Sequence, residues 1–260
     1  MTTAERMPAV FIGHGTPFNA LQHNRFTDAW TAFGRTVQRP KAILAISAHW
    51  YIGATAATAM PRPPTVHDFY GFPPEMYEIS YPAPGAPELV GALQELVAPV
   101  WLHSDTGQWG LDHGTWSVLC HMFPSADVPV VQLSIDGRQP PAYHLEIGKR
   151  LAPLRDQGVL VMGSGNIVHN LRLMDRSLVG EGPEWASRYD AMVQRYVADG
   201  DDDALVEYER QPDADLAVPT PDHYLPLLYA AGLRRNDDAC QVIVDGLDLG
   251  CVSMTSLQFG

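Results

Sequence analysis

The chain lacks most of the features that announce common functions. No apolar stretch reaches the 18 residues that suggest a membrane-spanning helix, and Met1 to Met7 shows no charged-then-apolar leader pattern. Its 260 residues include only 3 cysteines, Cys120, Cys240 and Cys251. An odd number at wide spacing makes neither a disulfide framework nor a CxxC zinc site, and a reducing cytoplasm is the expected compartment. Basic residues are scarce: 17 Lys and Arg face 30 Asp and Glu, for a net charge of −13. So acidic a surface repels phosphate backbones, which excludes nucleic acid as an expected partner. There is no HExxH helix and no GxGxxG after a strand, which argues against zincin proteases and dinucleotide enzymes. Gly163-Ser164-Gly165 lacks the glycine spacing of a GxSxG nucleophile elbow.

What is present is a well-mixed globular composition. Hydrophobic residues make up 46% of the chain, enough for one large core. Short apolar runs read as strands at Ala9–Ile12, Ala42–Ser47, Thr55–Ala59, Val128–Ile135, Val159–Gly163 and Gln241–Asp245. Helical patterns fall between them, at Asn19–Phe33, Pro87–Leu96, His113–Phe123, Ala142–Ala152, Trp185–Ala198 and Asp222–Ala231. Gly34 follows the first of these and is the expected stop signal. The alternation predicts an α/β protein: one three-layer α/β/α domain over residues 1–260 with a central mixed sheet. The segment from Pro61 to Pro87 inclusive holds 8 prolines and several aromatics. That segment is too apolar for a linker and is expected to be a long ordered loop covering some other part of the molecule.

Five of the ten histidines occupy unusual places. His14, in Gly13-His14-Gly15, and His49, in Ser47-Ala48-His49-Trp50, each follow a strand candidate. If the two strands share a sheet, both imidazoles emerge at one sheet edge, where α/β proteins bind ligands. His113 follows Asp112, the expected N-cap of a helix, so its ring lies near the positive end of the helix dipole. His169 follows the strand at Val159–Gly163 through a small-residue turn resembling an anion-binding nest. His223 is expected in the first turn of the last helix, with Asp222 beside it to orient the ring. Imidazole is the commonest protein ligand for transition metals, so the set reads as a metal site. His67, in the proline-rich segment, is a candidate pocket residue. His23, His103, His121 and His144 read as surface or packing residues.

Several segments, in order, carry a family resemblance. They are Gly13-His14-Gly15-Thr16-Pro17, Ser47-Ala48-His49-Trp50, His67-Asp68-Phe69-Tyr70-Gly71-Phe72-Pro73, Tyr81-Pro82-Ala83-Pro84-Gly85, Leu111-Asp112-His113-Gly114-Thr115-Trp116, Gly163 to Leu171, and Pro221-Asp222-His223-Tyr224-Leu225-Pro226-Leu227. From about residue 8 to Ser253-Met254-Thr255-Ser256 the chain resembles the 4,5-DOPA extradiol dioxygenase family of the class III extradiol ring-cleavage dioxygenases. The resemblance implies an α/β fold and one non-haem metal, Fe(II) for oxygen chemistry and often zinc in isolated proteins. It places His14, His49 and His223 at metal-binding positions. His169 falls at a position that is either a further ligand or the acid–base group, and His113 at a pocket position next to substrate. Where the broader superfamily uses two histidines and a carboxylate, His223 stands in the third position here, which favours zinc. The implied substrates are O2 and a catechol such as L-DOPA, opened to a semialdehyde by a monomer or small homo-oligomer. His169 is the preferred proton acceptor and His113 the second choice. Phe69, Tyr70, Phe72 and Tyr77 are candidates to pack the ring. A zinc-dependent hydrolase on the same histidines and a non-catalytic binding protein are the alternatives.

Overall fold

The computed structural model describes residues 6–178 and 180–260. Its strands are β1 (Ala9–Gly13), β2 (Ala42–Ile52), β3 (Thr55–Thr58), β4 (Leu102–Asp105), β5 (Val130–Asp136), β6 (Val159–Gly165), β7 (Cys240–Val244), β8 (Leu247–Asp248), β9 (Val252–Ser253) and β10 (Ser256–Phe259). The helices are α1 (Arg25–Thr36), α2 (Pro74–Tyr77), α3 (Pro87–Val97), α4 (His113–Met122), α5 (Pro141–Leu151), α6 (Glu184–Asp199), α7 (Asp202–Val206), α8 (Ala214–Ala217) and α9 (Leu225–Gly232). Eight strands form one sheet in the order β4-β3-β5-β2-β6-β1-β10-β7. The inner four, β5, β2, β6 and β1, run parallel, while β3 pairs antiparallel with β5 and β10 with β1. The expected mixed sheet is therefore present.

The apolar runs explain the layering. The inner strands are apolar-rich and buried on both faces, as parallel strands between helices must be. Alternate residues then go to opposite cores. Phe11, Leu44, Ile46, Leu133 and Val161 pack with α3, α5, α6 and α9. Val10, Ile12, Ile43, Val130 and Met162 pack with α1 and α4. Asn24 starts α1 with a capping box, its side chain accepting from the Thr27 N–H. Asp112 caps α4 by accepting from the Thr115 N–H at 3.3 Å, as the sequence predicts.

Several boundaries differ from expectation. The helix expected over Asn19–Phe33 begins at Arg25, after a short 3-10 turn at Pro17–Ala20, because Asn24 is the better cap. Gly34 does not stop it. A Cβ there would lie 2.1 Å from the Met122 carbonyl oxygen, so glycine serves the close crossing of α1 and α4. β2 runs five residues past the predicted end at Ser47. α9 begins at Leu225, three residues later than predicted, so His223 lies in the turn before the helix. The expected strand at Thr55–Ala59 is present as β3, supported by neighbours on both sides. β4 and β10 are too short and polar to show an apolar run, and pairing with neighbours makes them strands.

Candidate metal centre

β2, β6 and β1 are adjacent and parallel, so their C-terminal ends lie at one edge of the sheet. His14 follows β1 directly. His49 lies inside β2, where the pairing with β5 shifts register between Ile46 and Tyr51. Such irregularities re-aim side chains next to functional sites. His113 opens α4, and His223 precedes α9. The His223 turn sits directly on β6. A Cβ at Gly165 would lie 2.2 Å from the His223 carbonyl oxygen, and one at Gly163 would lie 2.4 Å from that of Pro226, so only glycine permits this approach. The expected anion nest is absent, because the Asn166 N–H donates to the His223 carbonyl at 2.8 Å.

All five histidines converge. The His14 ring centroid lies 5.1 Å from His49, 5.6 Å from His113 and 5.4 Å from His223. His49 and His113 are 3.8 Å apart, and His169 stacks on His223 at 3.5 Å with rings 6° from parallel. The ligand atoms of His14, His49 and His113 form one compact group, and those of His169, Asp222 and His223 form another.

The hydrogen bonds fix most of the proton positions. Ser164 Oγ–H donates to the Gly114 carbonyl at 2.5 Å. Having one proton, it must accept at His14 Nδ1, 3.0 Å away. His14 is therefore protonated at Nδ1 and carries its lone pair on Nε2. Asp68 accepts from His49 Nδ1 at 2.9 Å and from His113 Nδ1 at 3.0 Å. Asp222 accepts from His223 Nδ1. In their neutral forms four rings thus turn a bare Nε2 inward. Those of His14 and His49 face each other at 3.1 Å, so either a proton on His49 Nε2 is donated to His14 or a metal cation takes that proton's place between them. Metal–nitrogen bonds of about 2.0–2.1 Å suit two neighbouring ligands at that separation. The donor set therefore fits a divalent transition metal.

Burial pushes the His14 pKa well down, and His49, His223 and His113 nearby add to it. Burial and then the His49 charge hold His113 at about 4. Burial opposes a charge on His49, but the Asp68 hydrogen bond and the charges of Asp112, Asp68 and Asp222 outweigh it and raise its pKa. Burial and His223 push His169 down to about 2. Among the described residues, no side chain or carbonyl hydrogen-bonds the His169 ring, so its tautomer is free.

The surroundings were partly legible in the sequence. Phe69 packs 5.6 Å from His113 and 4.9 Å from Phe72, which meets Phe18 at 4.8 Å. Tyr77 joins at 5.2 Å from Phe69. Tyr70 does not, being 93% exposed. His67 bonds the Ile79 carbonyl through Nε2, and its ring packs on Trp116 and beside Phe69 and Tyr77. His121, bonded to the Asn19 carbonyl, and His144, buried against Tyr229, have the packing roles expected of them. Sequence reasoning missed Asp68, Ser164 and Ser47 as supports. Asp112 does more than cap α4: its buried carboxylate accepts from Ser47 Oγ at 2.7 Å and from the Gln132 amide. No periodicity marks such residues; only the proximity of Asp68 to the aromatic motif was a signal.

Comparison with known proteins adds to this geometry. Residues 9–256 match the family described as the catalytic LigB subunit of aromatic ring-opening dioxygenase. The chain is 44% identical to 4,5-DOPA dioxygenase extradiol of Escherichia coli K12, over 99% of this chain and 96% of that protein. It is 36% identical to the protein of the same name from Beta vulgaris, over 96% of this chain and 95% of that one. The crystal structure of the uncharacterized protein JW3007 from Escherichia coli K12 superposes with a TM-score of 0.87 at 41% identity, covering 98% of this chain and all of that one.

Proposed function

The chain belongs to the family of catalytic LigB subunits of aromatic ring-opening dioxygenases, and we propose that it opens catechols such as L-DOPA beside the diol, giving a ring-opened semialdehyde. The observation that carries this reading is the convergence of bare Nε2 atoms beside an aromatic wall. Both atoms of O2 enter the product of such a cleavage, so no external reductant is required. That agrees with a chain that has no dinucleotide motif.

His14, His49 and His223 would hold the metal, their Nδ1 protons held by Ser164, Asp68 and Asp222. Bound there, a ferrous ion supplies the electron transfer between catechol and O2; the all-imidazole set also suits zinc, which would fill the site without that chemistry. His169 is neutral and free to change tautomer, so it accepts a proton from a catechol hydroxyl and later returns it. His113, with its proton fixed on Nδ1 by Asp68, presents Nε2 as a hydrogen-bond acceptor to the other hydroxyl. Phe69, Phe72 and Phe18 pack the ring and exclude water. The contributing segments span residues 14 to 223, so residues 1–260 are read as one catalytic domain.

Loading the metal-free protein with Fe(II) under nitrogen, then adding L-DOPA or simple catechols in air, is expected to consume stoichiometric oxygen and form a yellow product. His49→Ala is expected to abolish both. No uptake with any catechol, from a protein that holds zinc tightly, would overturn the reading in favour of a zinc hydrolase or a non-catalytic binding protein.

A further inference from the structure

Asp68 stands in the proline-rich covering loop, yet its carboxylate is only 10% exposed. Oδ1 accepts from the backbone N–H of His113 at 2.9 Å and from its Nδ1 at 3.0 Å. Oδ2 accepts from His49 Nδ1 at 2.9 Å and lies 3.0 Å from His113 Nδ1. An ionised carboxylate can only accept, so every nitrogen facing it must donate. Ser164 and Asp222 each set one ring; Asp68 sets two. The next residue, Phe69, packs against His113, so the same carboxylate fastens the aromatic wall to the histidines.

We propose that Asp68 is a positioning residue that fixes the tautomers of His49 and His113 together, turning both Nε2 lone pairs toward the centre as the covering loop docks. This rests on the reading of the histidines as a metal centre. It makes a prediction that simple packing does not. Asp68→Asn nearly preserves shape, but the amide offers one accepting oxygen and one donating NH2. Whichever way it turns, the NH2 faces a ring Nδ1 and drives that ring's proton to Nε2, into the metal's place. Asp68→Ala instead leaves both Nδ1 atoms to water, and they can keep their protons.

The test is zinc affinity, measured by competition with a chromophoric chelator, with thermal unfolding of the metal-free proteins as a check on folding. The expected order is native, then Asp68→Ala, then Asp68→Asn, with the Asn variant weaker than native by about 10–100-fold. An Asn variant that binds like the native protein, or one that binds more tightly than the Ala variant, overturns the proposal. If Asp68→Ala does not fold, the 15N spectrum of the imidazoles in Asp68→Asn decides. One ring is expected to switch to the Nε2–H form, and an unchanged spectrum overturns the proposal. A native protein holding zinc no better than His49→Ala overturns the metal-centre reading itself, whatever the Asp68 variants do.

Discussion

At the ends of β1 and β6 opposite the histidines, Arg155 is fully buried and all its N–H groups are used. Nε donates to the Met7 carbonyl at 2.8 Å, Nη1 to Leu233 and Asp238, and Nη2 to Asp238 and the Phe259 carbonyl. Asp238 also accepts from Arg6 and from the Arg235 N–H. That cluster clasps the segment before β1, the last residues of β10 and the loop before β7. At the histidine end the outer nitrogens of four rings are as carefully bonded, but the inner ones meet nothing beyond the ring cluster itself. Two buried polar clusters at the two ends of one sheet thus differ in satisfaction. A complete one closes on itself and holds the fold, while an incomplete one is arranged to be completed by something else.

Breaking the complete cluster should have the largest effect. Arg155→Met leaves Asp238 and three carbonyls short of donors, and its expected cost is about 3–5 kcal/mol in chemical unfolding. A loss under about 1 kcal/mol would erase the contrast. Next comes His14→Ala at the other end. Metal affinity should fall by more than about 100-fold, since ligands matter more than their outer partners. The unfolding free energy of the metal-free protein should move far less than in Arg155→Met, because the side chain gives up one neutral hydrogen bond, to Ser164, and no buried charge is left unpaired. The smallest effect concerns acid. Burial alone would raise the Asp238 pKa, but Arg155 and the Arg235 N–H outweigh it and hold it below the ordinary carboxylate value. A depressed folded pKa gives stability that is present above the unfolded value of about 3.9 and is lost as pH falls below it. Unfolding midpoints measured from pH 6 downward should therefore drop below about pH 4, with a shallower drop in Arg155→Met.

The inner strands were legible because a strand buried on both faces must be an unbroken apolar run, as Ala42 to Ile46 and Val159 to Met162 are. The short strands β4, at one edge, and β10, between β1 and β7, were not, since their polar residues form strands only through the neighbours' hydrogen bonds. The end of α1 was misread for a related reason. Gly34 has the composition of a stop signal, but its role is set by Met122, far away in sequence.

The site divides in the same way. The chain's own order of residues determined which histidines gather, because His14 and His169 follow strands, His49 lies late in β2, and His113 and His223 stand at helix starts, and parallel strands bring such ends together. It also determined the acidic surface and the aromatic character of the covering loop. Tertiary structure alone decided which nitrogen of each ring faces inward. That depends on Ser164, Asp68 and Asp222 accepting at Nδ1, and two of these three lie far along the chain from the rings they orient. Folding also turned Tyr70 outward while Phe69 and Phe72 packed inward. A sequence specifies donors and acceptors; only packing determines which of them meet, and hence where the unpaired ones point.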